Sequence, residues 1–278
     1  MSSVDTRTTL IALSGMRAAS AEVAKASERI TTGLRINRAS DDPAGFAKGM
    51  RLQAEISSFE QVKRNLSDSS GLVNQVSDAL TGIVERLSEM RAAALEASAE
   101  TDADKRTTLA ATYDAARQGI ADMIDLVKVG ADKVLEGGAT GYDLTVQVGI
   151  EATDTKDLTF ADVSTGLNGL NLAVADFATQ ADAGGSLATL DAAIETVLSE
   201  VANVGGFLST LEKTSDFIDS TIFNKTIQYK DVMDADMALE ATNLAAAKIR
   251  QDASTAVLAQ ANSMNRSVAD YLLNGALG

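Results

Sequence analysis

The chain has 278 residues and a net charge of −15; 45% of it is hydrophobic but only 4% aromatic, and it holds one proline, no histidine and no cysteine. Without cysteine there is neither a disulfide framework nor a thiolate metal site, and without histidine the usual general base and the commonest metal ligand are missing, so no catalytic role, metal or other cofactor is expected. The acidic balance argues against nucleic acid as a partner, and no apolar run reaches the length that spans a membrane.

The N-terminus, MSSVDTRTTLIALSGMRAAS, lacks the apolar stretch of a cleaved signal peptide. Ala12, Met16, Ala19, Val23, Ala26 and Ile30 then alternate spacings of four and three, the seam of an amphipathic helix. Alanine fills half of these positions, so the seam buries little apolar area and the helix should need partners. In the break that follows, TTGLRINRASDDPAG, Gly33 can end the helix with a positive φ, Asp41 or Asp42 can cap the next, and Pro43 suits a first helical turn.

From Pro43 to about residue 100 the pattern predicts one long helix, with a strong seam at Val73, Val76, Leu80, Ile83, Leu87, Met90 and Ala94 and an out-of-phase stripe upstream at Leu52, Ile56, Phe59 and Leu66. ETDAD, 100–104, supplies an N-cap, and Leu109, Tyr113, Ala116, Ile120, Met123 and Val127 form a third seam. A β-hairpin is expected near 133–162. Leu144, Val146, Val148 and Ile150 would share one strand face, EATDTKD at 151–157 the turn, and Leu158 with Phe160 the returning strand. Residues 161–186 read as an outward-facing loop that includes Ala183. From Leu187 to Ile222 about five heptads follow with only Ser215 polar, and the seam stays in phase through Gly205–Gly206, so the helix is expected to continue.

A second break falls at YKDVMDAD, 229–236. The last helix reads as another thin seam, with Met237, Ala241, Leu244 and Ala247 and then Val257, Ala261, Met264 and Val268. The order is palindromic: thin helix, connector, robust helix, middle, robust helix, connector, thin helix. The fold expected is mainly α, an elongated helical bundle or coiled coil of paired N- and C-terminal segments with a small β-hairpin in the middle. Asp41 and Asp42 could be a carboxylate pair for acid–base work, but capping explains them better. Asp231, Asp234 and Asp236 could hold a hard cation, but solvating a connector and capping a helix is the simpler role. The sequons at Asn65, Asn224 and Asn265 fall in predicted helices and read as chance.

Three stretches resemble one family. ERITTGLRINRASDDPAG (28–45) is similar to the N-terminal signature of bacterial flagellins, STAVLAQANSMNRSVADYLL (254–273) to their C-terminal signature, and DKVLEGG, LTVQVG and GLNGLNL to their inner hairpin segment. The resemblance implies a filament subunit exported to the bacterial flagellum without a cleaved signal peptide. Residues 1–42 with 232–278 would form an inner domain lining the filament channel, and 43–185 with 186–231 a rod-shaped domain, with no large outer domain. Its partners would be other copies of itself, the export apparatus and an export chaperone, and the filament cap and hook-junction proteins, with neither nucleic acid nor membrane insertion. Subunit packing would fall to Met16, Val23, Ile30, Arg35, Arg38, Leu244, Leu258, Ala261 and Val268, the two arginines meeting acidic groups of neighbouring subunits. Gly33, Asp41, Asp42 and Pro43 would shape the connector. The alternative within the flagellum is a hook–filament junction protein. A signalling coiled coil would lack the hairpin, and an enzyme is the weakest reading.

Overall fold

The computed structural model of the chain describes residues 3–130, 132–136, 142–164, 166 and 169–275. Five helices dominate: α1 (Ser3–Thr32), α2 (Pro43–Ala99), α3 (Ala103–Leu126), α4 (Gln180–Met233) and α5 (Met237–Gly275). Between α3 and α4 lie two antiparallel ribbons, β1 (Lys128–Val129) with β2 (Asp132–Lys133) and β3 (Tyr142–Gln147) with β4 (Thr155–Phe160). The chain divides into two compact units, Met1–Glu55 with Asn224–Gly278 (unit 1) and Ile56–Phe223 (unit 2). Both α2 and α4 contribute to each. Among the described residues no helix is long and apolar enough to cross a membrane.

Unit 2 holds the main core. The strong seam of α2 is fully buried at Val73, Val76, Leu80, Ile83, Leu87, Met90 and Ala94. On α4 every seventh residue is buried, at Leu190, Val197, Val204, Leu211 and Ile218, while the alternate seam positions are half-buried. This is the 3.5-residue repeat of one helix laid along another. The α2 and α4 segments run antiparallel, tied at their flanks by Lys63–Asp219 at 2.5 Å and Arg91–Asp191 at 2.6 Å. Gly205 and Gly206 are exposed with open space around them. Their intrinsic cost of about 1 kcal/mol each does not break a helix whose seam continues on both sides. α3 begins where the Asp102 carboxylate accepts the N–H of Asp104 at 2.9 Å, the cap expected in ETDAD, and it adds Tyr113, Ala116, Ile120 and Ile124 to the core.

The middle departs from expectation in three places. The strands of the main hairpin pair Tyr142 with Phe160 and Gln147 with Thr155, so the turn is 148–154 rather than 151–157. Ile150, expected on the strand face, sits exposed in that turn. The turn is closed by the Val148 N–H donating to Asp154 O at 2.8 Å and by the Asp154 carboxylate accepting from Glu151 N, which releases Thr155–Asp157 to the strand. Residues 137–141, within the range expected for the hairpin, lie outside the described residues.

The segment read as a loop through residue 186 ends earlier, because α4 begins at Gln180. Thr179 and Asp182 form a reciprocal cap: Asp182 Oδ2 accepts the Thr179 N–H at 2.9 Å and Thr179 Oγ1 accepts the Asp182 N–H at 3.2 Å. Ala183, expected to face outward, is completely buried one heptad before Leu190. The preceding loop also carries its own core residues, Leu170, Leu172 and Phe177, the last edge-on to Tyr113 at 5.4 Å. Arg106 holds the loop by donating to the carbonyls of Phe177 and Ala178 and, on its own side, of Glu100 and Thr101.

Unit 1 is built on the pairing of α1 with α5. It also takes the first turns of α2 and the last of α4, so its limits fall inside those helices, whereas the connectors themselves lie at 33–42 and 234–236.

The paired termini and their connector: candidate assembly site

α1 and α5 run antiparallel, with Arg29 against Glu240, Glu22 against Arg250 and Ser20 against Gln251. The α1 face is the one expected: Ala19 and Ala26 are buried and Ala12, Met16, Val23 and Ile30 half-buried. The α5 face is not. Its inward residues are Glu240, Leu244, Ala247, Gln251, Ser254, Leu258 and Ala261, a regular alternation of four and three. Met237, Ala241, Val257 and Met264, read as part of this seam, are turned outward.

The reason is chemical. Three inward positions are polar, and two of them are hydrogen-bonded to α1: Arg29 Nη1 donates to the buried Glu240 carboxylate at 2.8 Å, and Gln251 Nε2 donates to Ser20 Oγ at 3.0 Å. Small residues around them, Ala19 and Ala26 on α1 and Ala247 on α5 itself, leave room for those groups.

Among the described residues, a second stripe of α5 is left without a partner. Leu239, Thr242, Ala246, Ile249, Ala253, Val257, Gln260 and Met264 keep spacings of three and four, about a third of a turn round from the α1-facing seam. Its large members are bare, with Ile249 69%, Leu239 57%, Val257 55% and Met264 55% exposed. On α1, Leu10 and Ile11 are likewise exposed.

The connector is tightly specified. Gly33 takes φ +73°, ending α1 with its N–H on Arg29 O at 2.8 Å. The next residues pair with the other connector through a bridge between Leu34 and Asp234: the Arg35 N–H donates to Met233 O at 2.7 Å and the Ala235 N–H to Gly33 O at 2.9 Å. Ile36 is buried beside it. Met233 is also buried, and its Cγ would stand 2.8 Å from a Cβ at position 49, so a residue larger than glycine there would displace the Met233 side chain.

The two aspartates divide the capping work. Asp42 Oδ1 accepts the Gly45 N–H at 2.9 Å and caps α2, with Pro43 as its first residue. Asp41 instead folds the loop, Oδ2 accepting the N–H groups of Asn37 and Arg38 while Oδ1 lies 3.3 Å from Lys25 Nζ. Lys25, helped by those backbone donors, holds the Asp41 carboxyl below the usual carboxylate range. Lys225 and then Arg51 do the same for Glu55.

Arg35 donates to Val232 O at 2.7 Å and Arg38 to Glu28 Oε1 at 2.8 Å, so each has a partner in its own chain. Leu244, Leu258 and Ala261 line the α1–α5 seam half-buried; Val268 lies on α5, its side chain outside the described residues. Asp236 caps α5 through the N–H groups of Ala238 and Leu239. Among the described residues no cluster of carboxylates is arranged to hold a metal ion. A cavity of about 250 Å³ between α1 and α5 is lined by Glu22, Lys25, Arg29, Glu240 and Arg250, whose cations are all paired with carboxylates of the same unit.

Chain ends that pair with each other, expose a further apolar stripe and are held by a hydrogen-bonded connector mark a protein built on paired terminal helices. Family models describing the bacterial flagellin N-terminal helical region and C-terminal helical region match residues 6–140 and 187–272. The chain belongs to the bacterial flagellin family and is a structural subunit of the extracellular flagellar filament. It is 28% identical to a flagellin of Halalkalibacterium halodurans, covering 89% of this chain and 91% of that one, and 29% identical to a flagellin of Bacillus subtilis, covering 88% and 91%. A structure from Vibrio parahaemolyticus described as a flagellar hook-associated protein superposes with a TM-score of 0.59 at 19% identity, over 70% of this chain and all of that one, and shares the fold.

Proposed function

We propose that this subunit enters the filament through unit 1, and that the outward stripe of α5 is its principal subunit-packing surface. The observation that carries the reading is the second heptad stripe from Leu239 to Met264, whose large apolar members Leu239, Ile249, Val257 and Met264 are bare beside a first stripe already used by α1. A helix apolar on two faces has two partners, and in a homopolymer the second is another copy. The contact is heterologous, with a rotation that does not close, so copies add into an open helix.

Met16, Val23, Ile30, Leu244, Leu258 and Ala261 then act chiefly by holding α1 on α5, which presents the stripe, with Val268 continuing α5 beyond it. Arg35 and Arg38, with Gly33, Asp41, Asp42 and Pro43, set the connector that joins this pair to α2 and α4. In the assembled filament, residues 1–42 with 232–278 form the inner domain lining the channel and 43–185 with 186–231 a rod-shaped domain. The role is structural rather than catalytic. Export proceeds through the flagellar apparatus without a cleaved signal peptide, with a chaperone on α5 beforehand, and growth occurs under the filament cap from the hook junction. Seeded polymerisation of an Ile249→Asp variant is the test: the reading requires loss of polymer from a folded monomer, and normal polymer would refute it.

A further inference from the structure

Sulfur is carried in this chain by methionine alone: there are eight methionines and no cysteine, and histidine and tryptophan are absent too. A peroxide that meets the protein therefore has thioethers as its main target. Exposure divides them. Met90 and Met233 are buried and Met16 and Met123 half-buried, whereas Met50, Met237 and Met264 are open at 53%, 48% and 55%; Met1 lies outside the described residues. The three open ones are about equally accessible but differently placed. Met264 is the last member of the outward stripe of α5, in line with Ile249 and Val257. Met237 stands two residues before Leu239, about 160° round the helix from it, and Met50 is on α2.

We propose that Met264 is an oxidation site that gates assembly: a peroxide converts its thioether to the sulfoxide in the free subunit, and the oxidised subunit is kept out of the polymer. The inference rests on the reading of the outward stripe as the packing surface. In the step itself a sulfur lone pair attacks one oxygen of hydrogen peroxide. The S–O bond forms as the O–O bond breaks, and the proton of the attacked hydroxyl passes to the departing hydroxide, which leaves as water. Sulfur loses two electrons and the peroxide gains them. The product carries a polar acceptor where the side chain had been apolar. On the free subunit that oxygen is solvated and changes little. Between two subunits it must leave water, and that desolvation, even softened by the Gln260 amide one turn away on the same stripe, raises the critical concentration by about tenfold or more. The contact that excludes the sulfoxide also shields the thioether, so a subunit is oxidised before assembly and not after it.

The experiment treats the free full chain with hydrogen peroxide, removes the excess with catalase, and follows each methionine by peptide mass spectrometry alongside seeded pelleting. Met50, Met237 and Met264 should gain oxygen at comparable rates while Met90 and Met233 are spared. The supernatant should be enriched in Met264 sulfoxide and the pellet depleted of it. A variant with Met50→Leu and Met237→Leu should lose assembly to peroxide as the original does, whereas Met264→Leu, compared with itself before and after peroxide, should keep its critical concentration. Reduction of the treated original by methionine sulfoxide reductases A and B should restore it, and peroxide applied to finished polymer should leave Met264 a thioether. Equal Met264 sulfoxide in pellet and supernatant, or a Met264→Leu chain as peroxide-sensitive as the original, overturns the inference. If Ile249→Asp is still blocked in that case, the stripe reading stands without it. If Ile249→Asp and the oxidised original both polymerise at the untreated concentration, the stripe reading falls and the inference with it.

Discussion

Val257 and Leu258 are neighbours in sequence that face different partners, which makes them a sharp test of how α5 is used. Leu258 is half-buried against α1, whereas Val257 is 55% exposed on the outward stripe. In the monomer, Val257→Asp exchanges two residues of similar helix propensity at an exposed site and should change stability by no more than about 0.5 kcal/mol. In the polymer the same change forfeits burial of roughly half a valine side chain, about 1 kcal/mol, and forces a carboxylate out of water at a cost of at least about 2–3 kcal/mol. A loss of about 3–4 kcal/mol per subunit raises the critical concentration more than about 100-fold. Leu258→Asp places its charge within the α1–α5 seam, whose thin apolar content leaves little in reserve, so it should loosen the pair in the free subunit as well. Amide hydrogen exchange of α1 and α5 reads the first effect and seeded pelleting the second. The reasoning is wrong if Val257→Asp polymerises at the wild-type concentration, or if it frees the α1 amides as much as Leu258→Asp does.

Three other outcomes are expected. Arg106→Met leaves four backbone carbonyls without their charged donor; the loss of about 3–4 kcal/mol should lower the melting temperature of the variant by roughly 6–15 °C in calorimetry, and an unchanged transition would mean the loop is held by Phe177 alone. Arg29→Met strands the buried Glu240 carboxylate and should destabilise unit 1 by about 3–5 kcal/mol, whereas Arg29→Met with Glu240→Leu should recover most of it; equal losses in the single and double variants by hydrogen exchange would show that the pair is not coupled. Asp41 and Glu55 have carboxyls held below their usual range, so their contribution to unit 1 is present above about pH 4 and is lost as pH falls through their folded values. Hydrogen exchange in the connector should therefore accelerate in acid beyond its intrinsic rate, and Asp41→Asn should flatten that response; an Asp41→Asn connector as acid-sensitive as the original would remove Asp41 from the account.

Where apolar size and inward position coincide, the sequence is a good guide. The α4 seam is legible from Leu190 to Ile218, even across Gly205–Gly206, because one large residue marks every heptad. The connector is legible because Gly33, Asp42 and Pro43 each have a single dominant use at a helix end. On α5 the same rule misleads. Met237, Val257 and Met264 are larger than Ala247, Ser254 and Ala261 and draw the seam toward themselves, while the true inner face depends on Glu240 and Gln251 finding Arg29 and Ser20 more than 200 residues away. Two stripes on one helix cannot be ranked without knowing which is paired. The start of α4 was within reach, since Thr179 and Asp182 have capping-box spacing and Ala183 keeps the heptad phase; the glycines at 184 and 185 conceal it. Nothing in the local pattern marks Arg106, whose carbonyl partners on the loop are about 70 residues distant.

A helical reconstruction of filaments grown from this chain, at a resolution that shows side chains, tests the central claim most directly. The account predicts that Leu239, Ile249, Val257 and Met264 are buried against a second subunit while α1 remains seated on the Glu240–Ala261 face of its own α5. A filament in which those four side chains stay open to solvent, or in which α1 and α5 exchange partners so that the Arg29–Glu240 pair is broken, would contradict it.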